Sequence, residues 1–371
     1  MNFNFCAVTL NQPQWLSIKR ILLHMWLSFI VLSTLIICLC TLNYAHNWGG
    51  DFSVYIMQAR SISQFSTGEF IENNRVTIEQ SSTRIGPVAY PWGFPVMLAP
   101  IYATFGLHLF ALKIIGILSY LGFLVVIWYG FERFHSLLWR SAYVLFFAVN
   151  PTLIGFVNHI LSDIPFLCVS TLAVCLIGQI IVEQRVFWSR VKDRVLLGII
   201  IACAFFIRTN GILLFGVLCW SQLVVMCSFI WSRHKQGMAW KEATVGSCVK
   251  DSENPHKRLL PFVPYISLGC FVLFWKLILP EGGTSHLEHL ERVNAESIKG
   301  NSIYYKDLLA GFFAGIPDYG VHKGQWIAYI ITLPFVVIGL TRHIRIAHHM
   351  LIYILLTYAL FILWPHKQGL R

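Results

Sequence analysis

Two aspartates stand beside long apolar runs, where a carboxylate would meet the surface of a membrane. Asp51 follows the apolar run 21–42 after a pair of glycines, and Asp163 lies near the start of the run 161–183. A carboxylate in such a place can take a proton from a hydroxyl or an amine, and an ionisable group at the edge of an apolar helix often marks a functional site. An aspartate can also cap the first turn of a helix. Both interpretations stay open for each residue.

Three basic residues could supply positive charge for an anionic ligand. Arg208 interrupts an apolar stretch just before a short turn, and Lys113 lies about one turn inside the run 108–130. Arg84 lies between the first two apolar runs. A guanidinium can bind a phosphate through two parallel hydrogen bonds. Arg208 could instead extend its charged end to the membrane interface while its stem stays among apolar groups, and this alternative also stays open.

The sequence does not predict a metal site. His286, Glu288, His289 and Glu291 offer ligand types three residues apart on a helix face. No second matched pair accompanies them, so an exposed, charged helix is the better interpretation.

The composition requires lipid as the solvent for these elements. Of the 371 residues, 56% are hydrophobic and 12% are charged, and the mean hydropathy is +0.64. A soluble domain carries about 25% charged residues. The net charge is +11, but most of the basic residues lie in short connections between apolar runs, which is typical of membrane proteins. Nucleic acid is therefore excluded as a partner, and the chain is expected to lie in a lipid bilayer.

The apolar runs predict an all-α integral membrane protein with about nine transmembrane helices in one membrane domain, residues 1–371. The segment Pro91–Gly106 contains three prolines and is expected to lie along the membrane surface as a juxtamembrane helix. The basic loops then share the cytoplasmic side with the N-terminus, and the long loops 43–107 and 281–324 are extracytoplasmic. The predicted spans are 21–42, 108–130, 137–156, 161–183, 194–208, 210–232, 259–280, 325–341 and 347–365.

Four short motifs follow one another along nearly the whole chain. They are Asp51-Phe52-x-x-Tyr55, Tyr90-Pro91-Trp92-Gly93-Phe94-Pro95, Leu161-Ser162-Asp163 and Phe206-Ile207-Arg208-Thr209-Asn210-Gly211. In this order and spacing they resemble the GT-C membrane glycosyltransferases, in particular the bacterial enzymes similar to protein O-mannosyltransferases and lipid A aminoarabinose transferases. The resemblance implies transfer of a sugar from a polyprenyl-phosphate carrier to an acceptor outside the bacterial cytoplasmic membrane. The acceptor would be a lipid, a glycan or a protein.

The resemblance also implies roles for individual residues. Asp51 matches the catalytic base in the first loop of the family, and Asp163 matches a second acid that orients a substrate. The residues expected at the phosphate of the donor are Arg208, Lys113 and Arg84, and those expected at the substrate are Tyr55, Tyr90 and Asn210. No cofactor is implied, although a divalent metal assists some relatives.

The chain departs from the family pattern in two places. Relatives commonly have Tyr-Pro-Pro-Gly where this chain has Tyr90-Pro91-Trp92-Gly93, and some have a phosphate-binding lysine at the position of Tyr90. The segment 364–371 resembles one that leads into further spans in the family, so we expect the chain to be shortened at its C-terminus relative to those enzymes.

Two other classes of membrane protein remain as alternatives. A transporter or flippase of a lipid-linked or small substrate would hold ionisable groups near the middle of the bilayer, on broken helices. The predicted helix centres contain almost no acids, which counts against transport. A polysaccharide polymerase or ligase would rely on arginines in outer loops rather than on an acid directly after the first span.

Overall fold

The computed structural model describes residues 14–46, 48, 51–80, 87–132, 135–182, 191–237, 259–280, 293–311 and 323–364. These residues form helices and the turns between them, and none of them lies in a β-strand. The helices are α1 (Gln14–Thr41), α2 (Asp51–Ser63), α3 (Thr67–Glu79), α4 (Gly93–Phe105), α5 (Leu109–Gly130), α6 (Leu137–Ala148), α7 (Pro151–Val157), α8 (Asp163–Ile177), α9 (Val191–Ile207), α10 (Ile212–Lys235), α11 (Val263–Ile278), α12 (Ala295–Gly311) and α13 (Lys323–Leu363).

Seven helical segments in the described chain are long and apolar enough to cross a membrane. They are Ile21–Thr41, Leu109–Gly130, Asp163–Val182, Thr209–Lys235, Leu260–Ile278, Gly324–Ile344 and Ile346–Leu363. Helices α6 and α7 meet at a bend of 52° and together would make an eighth span. The prediction of an all-α, multi-pass membrane protein is confirmed, whereas the count of nine spans is not.

The helices bend at two places, and the local sequence explains the first of them. The run 137–156 breaks because Pro151 lacks a backbone N–H and begins a new helix, whose first turn is capped by the side chain of Asn150 on the backbone N–H of Leu153, at 3.0 Å. Helix α13 bends at Ala347, where φ is −114° and ψ is 15°. The helix thus continues through both of the last predicted spans, 325–341 and 347–365, and the bend separates them.

The end of α1 and the start of α5 lie at the same end of the helix bundle. Lys113 of α5 donates to the backbone carbonyl oxygens of Asn43 and Ala45, at 2.6 and 2.9 Å. The backbone N–H of Asn43 donates to Oδ1 of Asn158, at 3.2 Å, in the turn between α7 and α8. The chain between α1 and α5 thus leaves and re-enters the bundle at one end, which we call the site end.

The short apolar helix α4 packs at the site end. Its 13 residues reach about 20 Å at 1.5 Å per residue, whereas the hydrocarbon layer of a bilayer is about 30 Å thick. Trp92, which precedes α4, donates from its indole to the carbonyl oxygen of Pro280 at 2.9 Å. The end of α11 therefore lies beside the start of α4.

The described part of the second long connection reaches the last residues of α13. Asn301 of α12 is buried and donates to the carbonyl oxygens of Ile362 and Trp364, at 3.0 and 2.6 Å. The ring of Tyr305 packs against Phe361, with ring centroids 5.4 Å apart. Phe361 also lines the cavity at the site end that is described below, so both long connections contribute helices to this end of the bundle.

Candidate functional site

The centre of the candidate site is an ion pair between Arg208 and Asp163. A guanidinium nitrogen lies 2.5 Å from a carboxylate oxygen, and the side chains are 16% and 11% exposed. Asp163 is the first residue of α8. Arg208 has an extended backbone between the end of α9 and the 3₁₀ turn Thr209–Gly211. This break in the helix directs the arginine to the side, toward α8, at the level of the helix ends.

Two glycines allow the backbone to approach closely around Arg208. A Cβ on Gly93 would lie 2.5 Å from the carbonyl carbon of Phe206 and 2.6 Å from the backbone nitrogen of Ile207. A Cβ on Gly211 would lie 2.4 Å from the backbone nitrogen of Phe205. Since real side chains do not tolerate such contacts, glycine at these positions lets α4 and the 3₁₀ turn pack directly on the end of α9.

Helix α2 brings Asp51 and Tyr55 to the ion pair. The two residues are four positions apart and so share one face of the helix, and they are 8% and 3% exposed. The hydroxyl of Tyr55 lies 3.0 Å from the hydroxyl of Ser162, which directly precedes Asp163. Asp51, Asp163 and Arg208 all lie within electrostatic range of Tyr55, and both aspartates lie within electrostatic range of the Arg208 guanidinium.

Tyr55 remains a neutral phenol in this setting. Burial raises its pKa above the ordinary value for tyrosine, and the nearby positive charge of Arg208 opposes that shift only in part. The negative charges of Asp51 and Asp163 act in the same direction as burial. Tyr55 can therefore donate or accept a hydrogen bond at neutral pH, but it cannot act as a phenolate base.

Tyr90 is held next to Tyr55 by a residue that the sequence did not single out. The ring centroids of the two tyrosines are 5.3 Å apart. Gln58, which is fully buried, donates to the carbonyl oxygen of Tyr90 at 2.9 Å and accepts from its backbone N–H at 3.1 Å. A glutamine within an amphipathic helix gives no sequence signal of such a role, because the role depends on the distant segment that it contacts.

Lys113 also lies at the site end, where it contacts backbone carbonyls rather than a carboxylate. Its side chain is 0% exposed, and its ammonium group donates to the two backbone carbonyls that follow α1. Within the described chain it pairs with neither Asp51 nor Asp163. Arg84 and the cluster His286, Glu288, His289 and Glu291 lie outside the described residues.

A cavity of about 330 Å³ opens beside the ion pair. Asp163, Arg208 and Asn210 form its polar end, and its other walls are mostly leucine, isoleucine and phenylalanine side chains of α7, α8, α10 and α13. Oδ2 of Asp163 is buried there without a hydrogen-bond partner among the described residues. The lining residues are Thr152, Leu153, Phe156, Asp163, Ile164, Phe166, Leu167, Ser170, Thr171, Arg208, Asn210, Leu213, Tyr353, Thr357 and Phe361.

The cavity includes residues that no sequence motif indicated. Tyr353, Thr357 and Phe361 belong to α13, far along the chain from the motifs that contain Asp163 and Arg208. Their spacing of four residues is that of one helix face, which in an apolar run is equally typical of simple packing. Only the packing of α13 against α8 and α10 shows that this face borders a cavity.

Within the described residues, no group of three or more histidine, cysteine, aspartate or glutamate side chains is arranged to hold a metal ion. The polar groups that face the cavity are a carboxylate, a guanidinium, an amide and several hydroxyls. This set suits an organic ligand that has a charged or hydroxylated end and an apolar body.

The chain matches no family model, no curated protein and no solved structure. The structure defines the class at the level of architecture, as a multi-pass, all-α membrane protein with a polar site at one end of its helix bundle.

Proposed function

We propose that this protein is a membrane glycosyltransferase that moves a sugar from a polyprenyl-phosphate carrier to an acceptor on the extracytoplasmic side of the bacterial cytoplasmic membrane. One observation carries the proposal. A buried carboxylate, Asp51, lies within electrostatic range of an arginine–aspartate pair that forms the charged end of a mostly apolar cavity at the level of the helix ends. The resemblance in sequence motifs points to the same activity.

The charge distribution supports an extracytoplasmic position for the site. The described basic residues at the helix ends opposite the site include Arg140, Lys192, Arg194, Arg233 and Lys235. Loops rich in lysine and arginine stay in the cytoplasm. The site end then faces outward, where a sugar on a lipid carrier would meet its acceptor.

The proposed reaction needs a base on one side of the sugar and positive charge on the other. Asp51 takes the proton from the acceptor hydroxyl or amine while the acceptor atom forms a bond to the anomeric carbon of the sugar. The bond from that carbon to the phosphate oxygen breaks with its electron pair, and the polyprenyl phosphate leaves. A single base and a direct displacement predict inversion at the anomeric carbon, because retention would need a carboxylate as a nucleophile.

Arg208 is the proposed ligand of the donor phosphate. A fixed guanidinium stabilises the negative charge that develops on the leaving phosphate, and Asp163 holds this guanidinium at the polar end of the cavity. Since Oδ2 of Asp163 has no partner among the described residues, it can accept a hydrogen bond from a hydroxyl of a bound sugar. The apolar walls of the cavity suit the first isoprene groups of a carrier.

The test is transfer of radiolabelled sugar in membranes that contain the protein and a panel of polyprenyl-phosphate hexoses and pentoses. Asp51→Asn keeps the size and polarity of the side chain but removes the base, so transfer is expected to fall by about 10²–10⁴-fold. The control is Asp193→Asn, at the opposite end of α9, which is expected to leave transfer unchanged. Undiminished transfer by Asp51→Asn would refute the proposed base, and absence of transfer with every donor would refute the activity.

A further inference from the structure

The segment that follows α1 is tied to two other parts of the site end by side-chain hydrogen bonds. Lys113 donates to the carbonyl oxygens of Asn43 and Ala45, and Asn158 accepts from the backbone N–H of Asn43. These contacts bring His46, the residue after Ala45, close to Lys113 and to His159, the residue after Asn158.

The two histidines pack against one aromatic ring. The ring centroid of Phe52 is 5.9 Å from that of His46 and 5.6 Å from that of His159, and both contacts are edge-to-face. Trp48 also packs edge-to-face with His46, with ring centroids 4.8 Å apart. The aromatic neighbours fix the orientation of both imidazole rings without using their nitrogen atoms.

The imidazole nitrogens lack partners. Both ring nitrogens of His46 and Nδ1 of His159 are buried, and none of the three makes a hydrogen bond to any described residue. Buried polar atoms are paired in the great majority of cases, and an unpaired one costs about 1–3 kcal/mol. A neutral imidazole has one N–H donor and a protonated imidazole has two. The unpaired nitrogens of the two rings thus indicate a ligand that would accept hydrogen bonds from them.

Lys113 adds a buried positive charge to this group. An ammonium group has three donors, and two of them are used on the carbonyl oxygens of Asn43 and Ala45. No carboxylate of the described residues forms an ion pair with it. A buried cation without a counter-ion is costly, and an anion beside it would remove that cost.

The titration of both histidines agrees with a positive local potential. Burial, with smaller contributions from the charges of Lys113 and His159, lowers the pKa of His46 to about 4. Burial and Lys113 also lower the pKa of His159, while Asp163 opposes them. The titratable groups that act on His46 are Lys113 and His159, and those that act on His159 are Lys113 and Asp163. A bound anion would favour the protonated imidazoles and raise both pKa values.

We infer that His46, His159 and Lys113 form an anion-binding site for a phosphate group, separate from the Arg208–Asp163 pair. The unpaired imidazole nitrogens supply the hydrogen-bond donors, and Lys113 supplies the charge. The phosphate could belong to a lipid headgroup or to a soluble phosphate compound, and both present the same oxygens to the site. The inference goes beyond the proposed sugar transfer, in which Asp51, Asp163 and Arg208 carry the reaction. It shares Lys113 with the residues that the sequence motifs place at the donor phosphate, and it adds His46 and His159.

The test uses the full chain in nanodiscs of phosphatidylcholine, with ¹³C label at the Cε1 atoms of histidine. One sample receives inorganic phosphate, and another is prepared with phosphatidic acid as a minor lipid. NMR titration is expected to show the pKa of His46 rising from about 4 by at least one pH unit, which corresponds to about a tenfold preference of the anion for the protonated form. A rise in the pKa of His46 in both samples would show that the site binds the phosphate group itself. A rise with phosphatidic acid alone would show that the site binds a lipid phosphate. A constant pKa in both samples overturns the inference.

The matched variants are His46→Phe and His159→Phe, singly and together. Phenylalanine keeps the aromatic contacts with Phe52 but removes the donors, so the double variant is expected to lose at least about 90% of phosphatidic acid retention on co-purification. His24→Phe, at an exposed position in the half of α1 away from the site end, is the control and should retain the lipid. Equal retention by the double variant and the control would contradict the site.

A variant of the proposed base separates this inference from the proposed function. Asp51→Asn is expected to keep the phosphate-dependent pKa rise of His46. If the rise is present but no donor supports transfer, the anion site stands and the proposed function fails. If transfer depends on Asp51 but the rise is absent, the proposed function stands and the anion site fails.

Discussion

The guanidinium of Arg208 and the carboxylate of Asp163 form a nearly buried ion pair that joins the end of α9 to the start of α8. Asp163 begins α8 and Arg208 follows the end of α9. At a helix end, a side chain can point sideways toward a neighbouring helix. The pair thus fixes the relative height of two helices and also sets the polar end of the cavity. Its structural and proposed functional contributions can be separated by substitution.

The first prediction concerns the stability of this pair. Asp163→Asn removes the ion-pair partner of the nearly buried Arg208, and breaking a buried pair costs about 3–5 kcal/mol. We therefore expect a lower midpoint of SDS-induced unfolding in mixed micelles for Asp163→Asn. The double variant Asp163→Asn/Arg208→Gln should lose less stability than the sum of the two single variants, because the second change removes the unpaired charge. Additive losses would show that the two side chains do not stabilise each other.

The second prediction concerns Tyr55. Tyr55→Phe removes the hydroxyl that lies 3.0 Å from that of Ser162, and the loss of one such hydrogen bond is expected to lower stability by about 1 kcal/mol. Since burial raises the pKa of Tyr55, the phenol stays protonated through pH 9. The alkaline side of the pH–activity profile should therefore have the same shape in the wild type and in Tyr55→Phe. If the wild type loses activity at alkaline pH and Tyr55→Phe does not, Tyr55 titrates in that pH range.

Apolar runs predicted most of the helices, because a helix in lipid must be apolar over its full length. The predicted run 108–130 corresponds to α5, Leu109–Gly130. The bend at Pro151 was missed because the run 137–156 remains apolar on both sides of it. Hydropathy records solubility in lipid, whereas the bend depends on the missing N–H of proline.

The site was predicted in part. The positions of Asp51, Asp163 and Arg208 at the ends of apolar runs predicted a shared side, and the structure brings these three residues together. The direct pairing of Arg208 with Asp163 was not predicted, because it depends on how α8 and α9 pack. The carbonyl partners of Lys113 were missed for the same reason, since backbone acceptors leave no mark in the sequence.

The third prediction concerns the close approach of α4 and α9. Gly93→Ala would place a Cβ 2.5 Å from the carbonyl carbon of Phe206, and backbone atoms cannot move aside as a flexible side chain can. We expect α4 to shift away from Arg208, with transfer activity falling about tenfold or more, since small displacements near a site are costly. The matched control is Gly68→Ala on α3, where an added Cβ meets nothing within 4 Å. Equal activity of the two variants would contradict this packing role of Gly93.

The fourth prediction concerns the pH dependence of stability, with no added phosphate. The pKa of His46 is lowered from 6.5 to about 4, so between these values the unfolded chain binds a proton that the folded protein does not. Stability contributed by the neutral imidazole is therefore present above pH 6.5 and is lost as the pH falls toward 4. His46→Phe removes this titration but keeps an aromatic ring, so its unfolding midpoint should fall less between pH 7 and pH 5 than that of the wild type. The measurement is thermal unfolding in detergent at both pH values, with His24→Phe expected to behave as the wild type. An equal decrease in all three proteins would show that His46 is protonated in the folded state, or that its titration does not affect folding.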